Sequence, residues 1–138
     1  MRYALLLNHG EPAPGEVSED AIHETEAAFG RYAHDLHAAG VLVGGDILAS
    51  SPATTQVTLR EGSLQIQDGP FVESKEMLAG VFVIDVPDLD AALAWAERCP
   101  AAQYGVIEVR PVFTSVVEGG WTNNTCQLAD ETTAEITA

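Results

Sequence analysis

Basic residues are scarce in this chain. Six lysines and arginines stand against 21 aspartates and glutamates among 138 residues, which gives a formal net charge of −15 at pH 7. Nucleic-acid binding draws its affinity from clustered lysine and arginine side chains that displace counterions from phosphates, and anionic membrane surfaces attract proteins through the same charges. The composition therefore argues against a nucleic-acid partner and against a membrane partner.

Cysteines and long apolar runs are also scarce. Cys99 and Cys126 match neither a metal-site spacing nor a disulfide framework, and two reduced thiols are the simpler interpretation. The first apolar run is broken by Asn8, His9 and Glu11, too early for a signal peptide. No run approaches the roughly 20 apolar residues of a membrane span. We therefore expect a cytoplasmic protein.

What remains is the composition of an ordinary globular domain, 46% hydrophobic and 20% charged. Strands are predicted at 3–7, 41–48, 55–59, 63–67, 80–86 and 105–113, and Glu61-Gly62 is typical of a hairpin turn. Helices are predicted to begin at the N-cap residues Ser18 and Asp88, and Gly40 is predicted to end the first of them. This order predicts an α+β, ferredoxin-like β-α-β-β-(hairpin)-β-α-β sandwich.

Each predicted helix has an apolar stripe that would pack on the sheet. The stripes comprise Ile22, Phe29, Ala33 and Leu36 in the first helix and Leu89, Ala92, Leu93 and Ala96 in the second. Helices on one face leave the other face of the sheet open, and a monomer seldom tolerates that much apolar surface. We therefore expect a face-to-face homodimer.

The composition changes after Phe113, where polar residues dominate and no basic residue appears through Ala138. We divide the chain into an α+β domain of residues 1–113 and an acidic carboxy-terminal arm of residues 114–138, partly disordered by default. Trp121 argues against full disorder. The arm could act as a lid, cross the dimer interface or bind a protein partner.

The densest polar stretch of the domain runs from Asp68 to Glu76. In a structural interpretation it begins with an Asp68-Gly69-Pro70 turn. Pro70 would hold Gly69 in extended geometry, and Phe71 would anchor the core. Spacing alone favours this interpretation.

A functional interpretation of the same stretch starts from its alternation. Glu73 and Lys75 would point to the same side of an extended segment, and Asp68 at the turn would converge on them across a cleft. Such a set offers an acid/base carboxylate and a cation that tunes it or holds an anionic substrate.

Histidines and one arginine add further candidates. His9 ends the first strand, where a neutral imidazole can act as general base at pH 7, although a loop histidine without a role fits equally well. His34 and His37 have a metal-chelating spacing, but no third ligand lies within sequence reach, so no metal is predicted. Arg110 would either pair with Glu108 near a sheet edge or bind a substrate carboxylate.

Five stretches, in order, resemble the DGPF-motif branch of the YCII-related domain family. They are YALLL at 3–7, AAGVLVGG at 38–45, DGPFVESKE at 68–76, IDVPDLDAAL at 84–93 and IEVRPV at 107–112. The resemblance implies a ferredoxin-like fold that dimerises as an α+β barrel, with a cleft lined by the DGPF segment. Family members are thought to use a histidine on the first helix followed by an aspartate. Phe29 stands near that position, so the pair does not carry over.

Two functions are compatible with these features. The first is a cofactor-independent enzyme that performs acid/base chemistry of the isomerase, cyclase or lyase/dehydratase type in an apolar barrel cavity, within a biosynthetic or catabolic pathway. Its substrate would be a small hydrophobic or anionic organic molecule. The predicted catalytic residues are His9, Asp68, Glu73 and Lys75, and the predicted substrate-binding residues are Phe71, Arg110 and Trp121.

The alternative is a non-enzymatic regulatory or ligand-binding protein. Proteins of the DGPF type often resemble partners of extracytoplasmic-function sigma factors. In this hypothesis the acidic arm of residues 114–138 engages a basic region of the partner.

Overall fold

The computed structural model describes residues 1–70 and 75–124, and two helices and eight strands follow one another within them. The elements are β1 Arg2–His9, α1 Glu19–Ala38, β2 Leu42–Ile47, β3 Thr55–Arg60, β4 Ser63–Asp68, β5 Met77–Asp85, α2 Leu89–Arg98, β6 Gly105–Pro111, β7 Thr114–Val117 and β8 Gly120–Asn123. Short 3₁₀ helices lie at Ser51–Ala53 and Pro100–Gln103.

The main sheet has four strands in the order β2-β5-β1-β6, and every neighbouring pair is antiparallel. Each helix connects one strand to the next but one in the sheet, α1 from β1 to β2 and α2 from β5 to β6. This is the ferredoxin-like arrangement. The predicted α+β fold is confirmed, while dimerisation remains a prediction.

The core lies between the sheet and the two helices. Alternate residues of β1, namely Tyr3, Leu5 and Leu7, are buried, as a period of two requires for a strand covered on one face. From α1, Tyr32 packs edge-on against Phe82 of β5, with ring centroids 5.4 Å apart. The Tyr32 hydroxyl donates to the carbonyl oxygen of Trp95 at 2.8 Å, and burial raises its pKa well above the usual range.

Both predicted helix starts are confirmed by their capping bonds. The Ser18 hydroxyl accepts from the backbone N–H of Ala21, and the Asp88 carboxylate accepts from that of Ala91. Each bond satisfies a donor that the first helical turn leaves unpaired. Gly40 follows α1 with φ +72°, the left-handed conformation expected of a residue that ends a helix.

The predicted apolar stripes are partly wrong. Ile22 is 45% exposed, and Leu89 and Leu93 are each 47% exposed. The face of α2 that is buried against the core is formed by the small residues Ala92 and Ala96. Small side chains there let the helix approach the sheet closely, which turns the leucines to the flank.

The face of the sheet opposite the helices is open. Its middle is apolar, with Leu6, Val81 and Val83 only half-buried, and Val106 on the edge strand β6 is 48% exposed. The part of the chain that the structure describes places both helices on the other side of the sheet.

Two hairpins project from the main sheet. The β3–β4 hairpin turns at Glu61-Gly62, as predicted, with φ values of 49° and 77°. The β7–β8 hairpin has the same turn at Glu118-Gly119, with φ values of 51° and 78°. Residues 114–123 of the predicted arm therefore form a hairpin, and residues 125–138, with Cys126, lie outside the described residues.

Asn124 fixes the β7–β8 hairpin to the start of β1. Its side chain is 5% exposed, and its carbonyl oxygen accepts from the backbone N–H of Arg2 at 2.7 Å. The amide nitrogen of the same side chain donates to the carbonyl oxygen of Arg2 at 2.9 Å. The Asn124 side chain thereby makes the pair of hydrogen bonds to Arg2 that the backbone of a neighbouring strand would make.

Among the described residues, neither helix has the length and apolar character needed to cross a membrane.

Candidate functional site

A cleft opens at the edge of the sheet where strand β1 ends and strand β5 begins. It has two adjoining chambers, which share Ser51, Pro70 and Met77. The first, which we call the polar chamber because it holds the charged residues Glu11 and Lys75, has a volume of about 570 Å³ and is also lined by Gly10 and Pro52. The apolar chamber has a volume of about 680 Å³, and its lining includes Leu48, Val57 and Leu78. Each chamber by itself has the size of a small-molecule site.

Two glycines shape the rim of this cleft. A Cβ atom on Gly10 would lie 3.2 Å from the carbonyl oxygen of Lys75. A glycine at this position therefore lets the chain after β1 lie close to the residues that lead into β5. Gly69, predicted to be extended, instead has φ +97°, a conformation that favours glycine. Its N–H donates to the carbonyl oxygen of Thr54 at 2.7 Å, and its own carbonyl accepts from the Gln56 amide at 2.7 Å.

Glu11 and Ser51 form the polar contact of the cleft. The two carboxylate oxygens of Glu11 accept from the backbone N–H and from the hydroxyl of Ser51, each at 2.7 Å. These hydrogen bonds, first the one from the hydroxyl, lower the pKa of Glu11, and the nearby His9 adds to the effect. Glu11 is therefore a fixed negative charge at neutral pH rather than a proton acceptor.

Lys75 is the only lysine of the chain, and it lines the polar chamber with Glu11. Its side chain is exposed. A flexible ammonium group beside an apolar chamber suits the carboxylate of an organic anion, whose apolar body would enter that chamber. Lys75 thus lines a cleft without the predicted Asp68, and its catalytic role stays a prediction.

His9 precedes the lining residue Gly10 in the chain and is not itself among the residues that line either chamber. Its ring nitrogen Nδ1 is 2.9 Å from the carbonyl oxygen of Gly10, and the ring packs edge-on against Tyr104 with centroids 5.3 Å apart. Because a carbonyl oxygen only accepts, Nδ1 carries the proton in this contact. In the neutral ring Nε2 is then the nitrogen that can accept a proton from a bound molecule.

The other predicted site residues lie elsewhere or outside the described residues. Asp68 is exposed at the end of β4, where its carboxylate accepts from the Thr55 hydroxyl at 3.4 Å. Arg110 is exposed on the open face of the sheet, and Trp121 is 73% exposed on β8. Phe71 and Glu73 lie outside the described residues. Asp68, Arg110 and Trp121 are not among the residues that line the two chambers.

The expected pair of Glu108 and Arg110 takes a different form. The Glu108 carboxylate accepts from the Asn8 side chain at 3.4 Å, and Arg110 lies opposite Ala4 in the register of β1 and β6. Arg110 is thus a cation on the open face of the sheet and remains a predicted substrate-binding residue.

A second groove runs between the two helices, with a volume of about 540 Å³. Its Arg98 donates to the Asp35 carboxylate at 2.8 Å and lies over the Trp95 ring at 4.4 Å, so this cation already has its partners. The lining of this groove holds three carboxylates against two arginines, whereas the polar chamber sets the one carboxylate of Glu11 against Lys75. The cleft at Lys75 is therefore the better site for an anion.

Metal ligation finds no support in the described ranges 1–70 and 75–124, where no group of three or more histidine, cysteine, aspartate and glutamate side chains could hold an ion. Cys99 is a free, buried thiol, and burial raises its pKa.

The chain belongs to the YCII-related domain family, whose pattern it matches over residues 1–115. It is also similar to an uncharacterised protein of Rhizobium meliloti (strain 1021). The two are 34% identical over 120 residues, covering 81% of this chain and 92% of the relative. Membership of the DGPF-motif branch stays a prediction.

Proposed function

We propose that this protein binds a small organic anion in the cleft, with its carboxylate at Lys75 and its apolar body in the neighbouring chamber. The observation that carries this proposal is the position of Lys75. The only lysine of a chain with net charge −15 lines a polar chamber that adjoins an apolar one. The negatively charged surface repels anions as a whole. An exposed cation at a cleft therefore makes that cleft a more favourable place for an anion than the rest of the surface.

We further propose acid/base chemistry of the isomerase, cyclase or lyase type on the bound anion, without a cofactor. His9 is the proposed proton acceptor, because its Nδ1 is committed to the Gly10 carbonyl and Nε2 is left to take a proton. Glu11 keeps its charge and balances the cation that His9 becomes on accepting a proton. A ligand-binding protein without turnover would use the same cleft, so turnover separates the two functions.

The open face of the sheet supports the proposed homodimer. Leu6, Val81 and Val83 form an uncharged centre on that face, and Val106 extends it to the edge strand. Packing two such faces together removes apolar surface from water in both copies.

Benzoate and benzamide are matched probes for the proposed anion site, because they share a ring and differ in charge. Replacement of Lys75 by glutamine is expected to weaken benzoate binding about tenfold, the worth of one charge-assisted hydrogen bond, and to leave benzamide binding unchanged. Isothermal titration or ligand-observed NMR measures both affinities.

Arg60→Gln is the matched control, because it removes one positive charge at the hairpin turn, where Arg60 lines neither chamber. It should leave benzoate affinity unchanged. Equal affinity in Lys75→Gln and the wild type, or equal losses in the two variants, would remove Lys75 from the site. For any ligand identified in this way, His9→Gln should retain binding and lose turnover. A His9→Gln protein with the wild-type rate would exclude His9 as the base.

A further inference from the structure

The β3–β4 hairpin has its apolar face turned outward. Register pairs Val57 with Ile66 and Leu59 with Leu64, so these four side chains share one face of the hairpin. They are 67%, 65%, 68% and 61% exposed in the order named. We call this surface the arm face. Four large aliphatic side chains side by side make a patch of the kind that marks an interaction site on a soluble protein.

The opposite face of the same hairpin is polar, and its β3 residues are turned inward, while Gln65 and Gln67 of β4 are exposed. Gln56 and Thr58 are partly buried and line the apolar chamber, whose lining Val57 of the arm face also joins. The Gln56 amide donates to the carbonyl oxygen of Gly69. This is the reverse of what a hairpin on a monomer would show, because burial in the body of the protein favours the apolar face. A two-stranded hairpin is marginally stable by itself, so an apolar face that points away from the body needs a cover.

The charge distribution favours a second copy of this chain as that cover. Residues 47–59 and 62–67 hold no charged side chain, although the chain as a whole carries −15. Two copies of so acidic a chain meet with least repulsion where negative charge is absent. A basic partner would instead be expected to face acidic groups, and between residues 47 and 67 only Arg60 and Glu61 are charged, with opposite signs.

We propose that the arm face packs against a second copy of this chain, so that each protomer holds the other with its β3–β4 hairpin. The inference rests on the proposed homodimer and adds a second contact to it. Specific interfaces bury roughly 1,200–2,000 Å² in all, so the arm face is proposed to act together with the open sheet face and not alone. The neighbouring turn residues Arg60 and Glu61 stay in solvent at the rim.

Adjacent residues of β4 offer a matched pair of variants. Ile66→Glu places a charge on the arm face, and Gln65→Glu places the same charge on the opposite face. The wild type is expected to sediment as a dimer at micromolar concentration. Ile66→Glu should raise the dimer dissociation constant at least about 100-fold, because a buried unpaired charge is costly, while Gln65→Glu should leave it unchanged. Leu59→Thr, which suits a strand, should give a smaller loss in the same direction.

Analytical ultracentrifugation of full-length chains, with circular dichroism to establish folding, separates the outcomes. Val106→Glu, on the open sheet face, tests the proposed dimer without touching the hairpin. A dimer that survives Ile66→Glu and Leu59→Thr but dissociates with Val106→Glu would overturn the arm contact and leave the sheet-to-sheet dimer standing. Equal dissociation by Gln65→Glu would also overturn it. A monomeric wild type would overturn both contacts, whereas benzoate binding at Lys75 is tested independently of either.

Discussion

Replacement of Gly105 by alanine is expected to lower the free energy of unfolding by about 3 kcal/mol, the upper end of what overpacking costs. Gly105 is the first residue of β6 and lies opposite His9 of β1. A Cβ atom there would overlap the carbonyl oxygen of Asn8 and lie 2.7 Å from the Cβ of His9. Since the obstacle is backbone rather than the end of a flexible side chain, the strands must separate.

Gly30→Ala is the matched control, because it adds the same methyl group where nothing lies within 4 Å. Gly30 is exposed in the middle of α1, and alanine there should raise stability by about 0.5–1 kcal/mol through helix propensity. Urea unfolding measures both variants. If Gly105→Ala were as stable as the wild type, the close approach of β6 to the end of β1 would be wrong, and with it the position of His9.

Replacement of Leu36 by alanine is expected to lower the free energy of unfolding by about 3 kcal/mol, within the range for a buried leucine that leaves a cavity. Leu36 is fully buried on α1 and belongs to the core formed with Tyr3 and Leu5 of β1. Removing its isobutyl group withdraws contacts from a part of the protein that cannot collapse readily, because the sheet holds its neighbours in place. Thermal or urea unfolding gives the value.

Leu93→Ala is the comparison for Leu36→Ala, since the helical periodicity predicts both leucines on buried stripes. Leu93 is 47% exposed, so its replacement should cost about 1 kcal/mol or less. Equal losses for the two variants would contradict the orientation of α2 on the sheet.

Local signals explain why the order of elements was predictable from the sequence. Ser18 and Asp88 cap helices through hydrogen bonds to residues three positions away, and Glu61-Gly62 turns a hairpin between its own neighbours. Such contacts depend on residues close in the chain. Glu118-Gly119 repeats this dipeptide and forms the turn of the second hairpin. The signal was present in the sequence, but the prediction for residues 114–138 did not use it.

The orientation of α2 was not predictable in the same way. Its apolar residues fall on more than one line, and periodicity does not tell whether Leu89 and Leu93 or Ala92 and Ala96 face the sheet. The distance between helix and sheet decides, because small side chains allow the closer approach. That distance is a property of the whole core and not of the ten residues of the helix.

The cleft was only partly predictable for a related reason. Lys75 was a candidate because it lies in the dense polar stretch that begins at Asp68. Glu11 and Ser51 were missed, since they are 40 residues apart and each lies in a segment that reads as a loop. Only the tertiary structure brings this carboxylate to that hydroxyl. A glutamate in a Gly- and Pro-containing segment was the one sequence signal present, and it is a weak one.

Amide chemical-shift mapping of a benzoate titration tests the central claim most directly. Uniformly ¹⁵N-labelled wild-type protein and Lys75→Gln would be titrated under identical conditions. We expect the largest shifts in the wild type at Gly10, Glu11, Ser51 and Lys75, the residues that surround the polar chamber, and much smaller shifts in Lys75→Gln. Shifts concentrated at Arg31 and Arg98 in the groove between the helices would contradict the account.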